Sequence, residues 1–281
     1  MKTDAVFDKE LGAHYSKPGL LNRILSALEQ AGINLNAASS DDFSPFAEFH
    51  IGGAGATREL GRLASLRAGQ LIIDIGSGLG GPARTLAEQF DVRVKGIDLT
   101  EEYCSVATEL TKIVGLGARV SFEHGNALNL PFEDKAFDVA WTQQSCMNIA
   151  SKDQMIAEVS RILKTGGTFV FQEVLAGENP EPLLIPVPWA SDAGMSFLWT
   201  PKDIKKLIED YGFIEKKWID VTPKYIDEYR ALAAKTADTN VRPILGAHLM
   251  LGDRSGEMRK NVVKNLETDR VKVYQGVFVK D

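Results

Sequence analysis

The sequence predicts an α/β fold built on a doubly wound, mostly parallel sheet. Short apolar segments of strand length alternate with longer segments of helical periodicity, which is the pattern of successive βαβ units. Residues 71–75 are almost continuously apolar, as expected for a strand covered on both faces. The glycine-rich segment 76–81 follows at once, so the predicted order here is strand, tight loop and helix.

The region 1–66 precedes this alternation and is predicted to form an N-terminal helical lid. Apolar residues at helical spacing predict a helix over 20–31. Residues 32–50 are rich in Asn, Ser and Asp, which predicts a loop. A second helix is predicted from Thr57 to Leu66.

The region 67–175 carries the alternation and is predicted to be the ligand-binding core. Its predicted strands are 71–75, 92–99, 120–124, 137–142 and 168–174. Its predicted helices are 82–90, 101–114 and 152–163, the first with Pro82 in its opening turn and the last closed by Gly166-Gly167.

The region 176–281 is predicted to complete the sheet, with a helix over 201–211 and strands over 213–221 and 271–279. Four prolines exclude a long regular element from 175–200. The large apolar side chains of that segment would form either a substrate lid or plain core, and its proline-broken setting on the ligand side of the sheet favours a lid. Residues 223–267 are predicted to be a helical insertion, interrupted near 243–246, and are a candidate for either a substrate lid or a homodimer surface.

Composition excludes several classes of protein. Hydrophobic residues make up 44% of the chain and charged residues 25%, as in packed globular proteins. A net charge of −6 argues against a large basic surface for nucleic acid. No apolar run reaches the roughly 20 residues of a membrane span, and the first ten residues resemble no signal peptide, so a cytoplasmic location is expected. Cys104 and Cys146 form no zinc pattern, and no metal is predicted.

The loop after the first strand carries the chemistry of the predicted core. It has the sequence Asp74-Ile-Gly76-Ser77-Gly78-Leu-Gly80-Gly81. Glycines between a strand and a helix let the backbone approach a ligand, and the helix start offers free N–H groups. The same spacing meets the dinucleotide pattern G-x-G-x-x-G, so a nicotinamide dehydrogenase is an alternative. Asp74 argues against it, because a carboxylate there would repel a pyrophosphate but suit an ammonium and a sulfonium.

Asp98 ends the second predicted strand, where a carboxylate can accept both ribose hydroxyls of a nucleoside. The alternative is a cap for the helix that follows.

The segment Gly125-Asn126-Ala127-Leu-Asn-Leu-Pro-Phe132, followed by Phe137-Asp138, completes the pattern. With the glycine loop and Asp98, it resembles the class I S-adenosylmethionine (SAM)-dependent methyltransferases over roughly residues 65–175. The resemblance implies a seven-stranded Rossmann-like sheet with an N-terminal helical lid and inserted cap segments. It also implies SAM as the cofactor and a small molecule as the substrate.

The resemblance implies a role for each matching position. Asp74 and the loop Gly76–Gly80 would hold the methionine portion of SAM, and Asp98 and Leu99 the ribose. Asn126 would contact the adenine edge while Ala127 packs on its face. The remaining cofactor-binding candidates are Gln143, near the sulfonium or amino group, and Tyr15, in the lid.

The catalytic residues are less well marked. Within the family, the match is closest to small-molecule enzymes of the sarcosine/dimethylglycine, ubiquinone-pathway and tocopherol type, many of which have histidine where this chain has Asn148. That departure removes a candidate base and leaves His50 first and Asp192 second.

The first functional interpretation is methyl transfer to the nitrogen of a small amine, which needs no strong base. The alternative is a C- or O-methyltransferase of an aromatic or prenylated acceptor, favoured by the apolar segment 175–200. A nicotinamide dehydrogenase and a catalytically silent SAM-binding protein are the less favoured interpretations.

Overall fold

The computed structural model describes residues 12, 15, 18–236 and 243–281. Its centre is a seven-stranded sheet of order β3-β2-β1-β4-β5-β7-β6. The strands are β1 (Leu71–Ile75), β2 (Arg93–Asp98), β3 (Val120–His124), β4 (Phe137–Gln143), β5 (Leu163–Ala176), β6 (Phe213–Asp220) and β7 (Val271–Lys280). Strand β7 runs antiparallel to both of its neighbours, and the remaining pairs are parallel. The predicted fold class is confirmed.

Ten α-helices are assigned in the described ranges. They are α1 (Leu20–Gln30), α2 (Ser40–Ala47), α3 (Gly53–Leu63), α4 (Gly81–Phe90), α5 (Glu101–Ile113), α6 (Lys152–Ile162), α7 (Pro201–Asp210), α8 (Thr222–Thr236), α9 (His248–Leu251) and α10 (Ser255–Glu267). No helix in these ranges is both long enough and apolar enough to cross a membrane.

Both faces of the sheet are covered, which accounts for the apolar run at 71–75. Ile73 and Ile75 pack in one buried cluster with Val159 of α6, whereas Ile72 packs in another with Leu86 of α4. Because successive side chains of a strand point to opposite faces, a strand between two helical layers needs apolar residues at nearly every position.

Three predicted boundaries are corrected by the structure. The predicted loop 32–50 contains α2. At the start of this helix the Ser39 backbone N–H donates to the Asp42 carboxylate at 2.8 Å. The polar residues that predicted a loop are therefore helix-capping residues. Helix α3 starts at Gly53 and ends at Leu63, rather than spanning 57–66. Strand β5 begins at Leu163, before the two glycines that were expected to precede it.

Two predicted regions extend beyond the described residues. The N-terminal region 1–66 is described at residues 12 and 15 and from 18 onward, and residues 237–242 of the helical region 223–267 are likewise outside the description. In the described part of the second region, α8, α9 and α10 are separate helices.

The segment 177–200 is irregular and packs onto α10. Val187 and Trp189 are buried in a cluster with Val262 and Val273. The fully buried Asn265 accepts a hydrogen bond from the Leu184 N–H and donates one to the Leu184 carbonyl, both at 2.9 Å. One side chain therefore satisfies both backbone groups of a residue that lies in no regular element.

Replacing Asn265 with alanine is expected to lower the free energy of unfolding by about 2 kcal/mol or more, since two partly buried backbone groups lose their partner. Urea unfolding measures the change. Asn22→Ala, on the exposed face of α1, is the control and should change it by less than about 0.5 kcal/mol. Equal effects of the two substitutions would contradict the assigned role of Asn265.

Candidate functional site

A cavity of about 960 Å³ lies at the carboxyl ends of the central strands. Its inner wall is formed by residues that end or follow β1, β2, β3 and β4, and its outer wall by the segment around Trp189 and by α8, α9 and α10. The sheet order reverses between β1 and β4, and open α/β sheets bind ligands at such a switch point.

The glycine loop between β1 and α4 forms the floor of this cavity. Gly76, Ser77 and Gly78 line it, and Gly78 has a φ of +53°. Gly80 does not line the cavity: a Cβ there would lie 2.2 Å from Cζ of Phe122. Gly80 therefore serves the packing of the loop against β3, rather than the ligand contact predicted for it.

Asp98 joins the glycine loop to the start of α5. Its carboxylate accepts a hydrogen bond from the Gly78 N–H and another from the Thr100 N–H, each at 2.8 Å. Burial raises the pKa of Asp98, and these two N–H groups act against the rise. Asp98 and Leu99 both line the cavity, so the carboxylate serves the loop and faces the ligand space at once.

Asp74 lies behind the glycine loop rather than in the cavity wall. It is 1% exposed, and its Oδ2 makes no hydrogen bond with any described residue. Burial, followed by the charges of Glu48 and Asp98, raises the pKa of Asp74 to about 8. The inner end of the site therefore gathers three carboxyl groups, one of which has a buried oxygen without a hydrogen-bond partner.

Asn126 begins the turn that follows β3. Its side-chain oxygen accepts a hydrogen bond from the Leu128 N–H at 2.8 Å, an arrangement typical of Asx turns. Asn126, Ala127 and Leu128 all line the cavity. The side-chain oxygen of Asn126 thus stabilises the turn, while Ala127 and Leu128 present an apolar surface to the cavity.

Gln143, at the end of β4, is held by a buried polar network. Its Oε1 accepts from the indole N–H of Trp141 at 3.2 Å and lies 3.1 Å from the Thr57 hydroxyl. Because the indole nitrogen can only donate, the amide nitrogen of Gln143 is the group that faces His50 Nδ1, at 3.3 Å. Gln143 and His50 both line the cavity.

Glu48 anchors this network and was missed by the sequence analysis. Its carboxylate lies 2.8 Å from His50 Nε2 and accepts from the hydroxyls of Thr57 and Thr85 at 2.7 and 2.5 Å. Burial alone would raise the pKa of Glu48, but His50 and the two hydroxyls hold it below its usual value. No local motif marks Glu48, because two of its partners come from α3 and α4 and the third, His50, from the loop between α2 and α3.

Asn148 connects two parts of the wall. The Tyr15 hydroxyl donates to Asn148 Oδ1 at 2.9 Å. The amide nitrogen of Asn148 donates to the carbonyls of Trp189 and Met195, at 2.7 and 2.9 Å. Burial and the charge of Asp98 raise the pKa of Tyr15 well above its usual value, so this phenol stays a hydrogen-bond donor.

The structure contradicts the placement of Asp192 in the site. The residue is exposed and does not line the cavity, and its carboxylate accepts a hydrogen bond from the Gly194 N–H at 2.9 Å. It closes a short turn in the proline-rich segment, as acidic residues commonly do in loops.

The outer wall adds residues that the sequence analysis did not single out. Tyr229, His248, Arg259 and Lys260 line it. Among the residues that the structure describes, no group of three His, Cys, Asp or Glu side chains could hold a metal ion.

Comparison with known proteins identifies the domain. Residues 73–171 match the family model described as a methyltransferase domain. The chain is 27% identical over 216 residues to the methyltransferase GfsG of Streptomyces halstedii, covering 76% of this chain and 74% of that protein. It is 26% identical over 188 residues to a sarcosine/dimethylglycine N-methyltransferase of Halorhodospira halochloris, covering 65% of this chain and 64% of the relative.

A solved structure shares the fold over nearly the whole chain. A geranyl diphosphate methyltransferase, in complex with GPP and sinefungin, superposes with a TM-score of 0.70 at 16% identity, covering 98% of this chain and all of that one. The family match and the relatives confirm SAM over the nicotinamide alternative, which the glycine loop and Asp98 alone also allowed. The chain therefore carries a SAM-dependent methyltransferase domain of class I fold, matched over residues 73–171.

Proposed function

We propose that this methyltransferase transfers the methyl group of SAM to an amine nitrogen of a small-molecule acceptor. The observation that carries the proposal is the state of the candidate bases at the inner end of the cavity. His50 has one ring nitrogen against Glu48 and the other against the Gln143 amide. Asn148 uses both ends of its amide within the protein, and Asp192 lies outside. A neutral amine brings its own lone pair and suits such a site.

The inner end of the site fits SAM. Ionised Glu48 gives the inner end a negative charge, and the nearby Asp74, whose Oδ2 has no hydrogen-bond partner, adds a second one when a cation favours its ionised form. This environment favours a ligand that carries an ammonium and a sulfonium. When bound, SAM supplies a methyl group already activated by the positive sulfur.

The protein's own residues would orient the cofactor and the acceptor and enclose them. Asp98 would hold the ribose hydroxyls, Ala127 and Leu128 would pack on the adenine, and Gln143 would point its amide nitrogen into the site. Region 1–66, with Tyr15, and segment 175–200, with Trp189, would act as covers that exclude water. Alignment of the acceptor with the methyl group then provides most of the rate enhancement.

The second candidate is a C- or O-methyltransferase. The apolar surface that Met147, Trp189 and Leu251 present to the cavity favours it. Such an acceptor must lose a proton, and His50 or His248 would have to accept it.

Incubation with methyl-labelled SAM and separate panels of amines, phenols and carbon nucleophiles tests the proposal. Labelled product from the amines alone, with turnover retained in His50→Ala, is the expected result. Labelling only of phenols or carbon nucleophiles, lost in His50→Ala, would favour the second candidate. Calorimetric binding of SAM without transfer to any panel would indicate a silent binding protein.

The protonation of Asp74 predicts a pH-dependent affinity for SAM. Below pH 8 the unliganded carboxyl is mostly neutral, and a bound cation favours its ionised form. The affinity should therefore rise with pH, by up to about tenfold per unit, and level off above about pH 8. Calorimetry in phosphate and Tris should show proton release on binding. Asp74→Asn should remove the release and flatten the profile, and an unchanged profile in that variant would assign the linkage to another group.

A further inference from the structure

The outer half of the cavity has the opposite charge from the inner half. Glu48 and Asp98, with Asp74 when it is ionised, give the inner end its negative character. In the described outer wall, Arg259, Lys260 and His248 line the cavity, with Asp253 as the one carboxylate. A ligand that spans the cavity therefore passes from a negative to a positive environment.

Arg259 and Lys260 form no ion pair with any acid in the described ranges, although the chain carries an excess of acidic residues. Arg254, at the start of the same helix, does pair with Glu257, at 2.8 Å, and lies outside the cavity. Arg259 also acts on Tyr229 in the cavity wall: burial raises the pKa of that phenol to about 12, and Arg259 acts against the rise. Both cationic side chains are exposed and line the cavity, so they are accessible to a ligand.

The cavity also offers apolar surface beside its charged residues. Trp189, Leu251 and Val262 belong to the segment and helices of the outer wall and line the cavity there. Leu232 lines the cavity as well, yet is 43% exposed. An exposed leucine at the rim of a largely apolar cavity offers contact surface to a ligand rather than to the protein core.

We propose that the acceptor is amphiphilic: an anionic group, carboxylate or phosphate, binds at Arg259 and Lys260, and an apolar body lies against Trp189 and Leu232. The methyl-accepting atom would then reach the inner end. This inference rests on the proposed function, since it assigns the acceptor half of the same site. Guanidinium and ammonium groups are the usual partners of such anions.

Fluorescence titration with two probes, in the presence of saturating S-adenosylhomocysteine, tests the inference. Anilinonaphthalene sulfonate has an apolar body with an anionic group, and N-phenylnaphthylamine has a similar body without one. The double variant Arg259→Ala, Lys260→Ala should weaken binding of the sulfonate by about tenfold and leave the neutral probe within about twofold. Arg254→Ala, the matched control, should change neither. An equal loss for both probes, or an equal loss in Arg254→Ala, would overturn the proposal.

Displacement of the sulfonate probe by decanoate and by decyl phosphate separates the two anion classes. If one of the two compounds displaces the probe more strongly, and the double variant weakens that displacement, the result supports the inference and identifies the class of anion. Displacement by neither would overturn it. Calorimetric titration of the same preparations with SAM is the independent check. If the wild-type protein does not bind SAM, the proposed function is contradicted. If it binds SAM but the double variant affects both probes equally, this inference alone is contradicted.

Discussion

Replacing Asp98 with asparagine is expected to weaken SAM binding by about 100-fold, because the variant loses the charge and one acceptor that would meet the two ribose hydroxyls. The variant keeps the shape of the side chain but can accept from only one of the two N–H groups, Gly78 or Thr100, that Asp98 now serves. Isothermal calorimetry with SAM measures the affinity, and thermal unfolding of the unliganded variant reports whether the glycine loop survives.

The chain offers a close control for this substitution. Asp220 ends β6, is exposed, and accepts from the N–H of Thr222 two residues later, as Asp98 does from Thr100. It lies outside the cavity. Asp220→Asn should therefore leave the affinity within about twofold. If the Asp98→Asn variant binds SAM as tightly as this control, Asp98 does not bind the ribose.

Replacing Asn148 with leucine is expected to reduce turnover by about 100-fold while SAM affinity changes by less than about threefold. Leucine fills a similar volume but removes the hydrogen bonds that Asn148 makes with the Tyr15 hydroxyl and with the carbonyls of Trp189 and Met195. Both covers would then be held less firmly over the acceptor half. Steady-state kinetics at saturating SAM, with any acceptor found in the labelling screen, measures the effect.

Two further variants make this result specific. Tyr15→Phe removes one of the three hydrogen bonds and should reduce turnover by about fivefold. Asn261→Leu removes the 2.9 Å hydrogen bond from the Asn261 amide nitrogen to the carbonyl of Pro186, which belongs to the same segment as Trp189. Neither Asn261 nor Pro186 lines the cavity. It should lower stability without a comparable loss of turnover. A similar loss in Asn261→Leu would mean that general loosening of the segment, and not the contact at Asn148, controls the rate.

The inner half of the site was predictable because its residues follow strand ends along the chain. A buried strand, a glycine loop and a carboxylate at the next strand end are local patterns, and the parallel sheet brings them together. Gly76, Gly78 and Asp98 consequently line the cavity as expected. Asp74 and Gly80 share the pattern but lie behind the wall, since a motif does not specify which of its side chains faces the ligand.

The outer half, and Glu48 at the inner end, could not be predicted, because they depend on how distant helices pack. Glu48 is held by its own loop and by two helices. Arg259 and Lys260 line the cavity because α10 lies beside the segment around Trp189. In the sequence, each looks like an ordinary charged residue of a solvated surface. Asp192 shows the converse: its setting among large apolar residues suggested a site, but it caps an exposed turn.

The three carboxyl groups at the inner end would also favour the cofactor over its spent form. Methyl transfer removes the positive charge of the sulfur, so the attraction that favours ionised Asp74 would weaken after each reaction. With its pKa of about 8 in the unliganded protein, the carboxyl group would then recover its proton. We therefore expect SAM to bind more tightly than its demethylated product, which would limit product inhibition without any movement of the backbone.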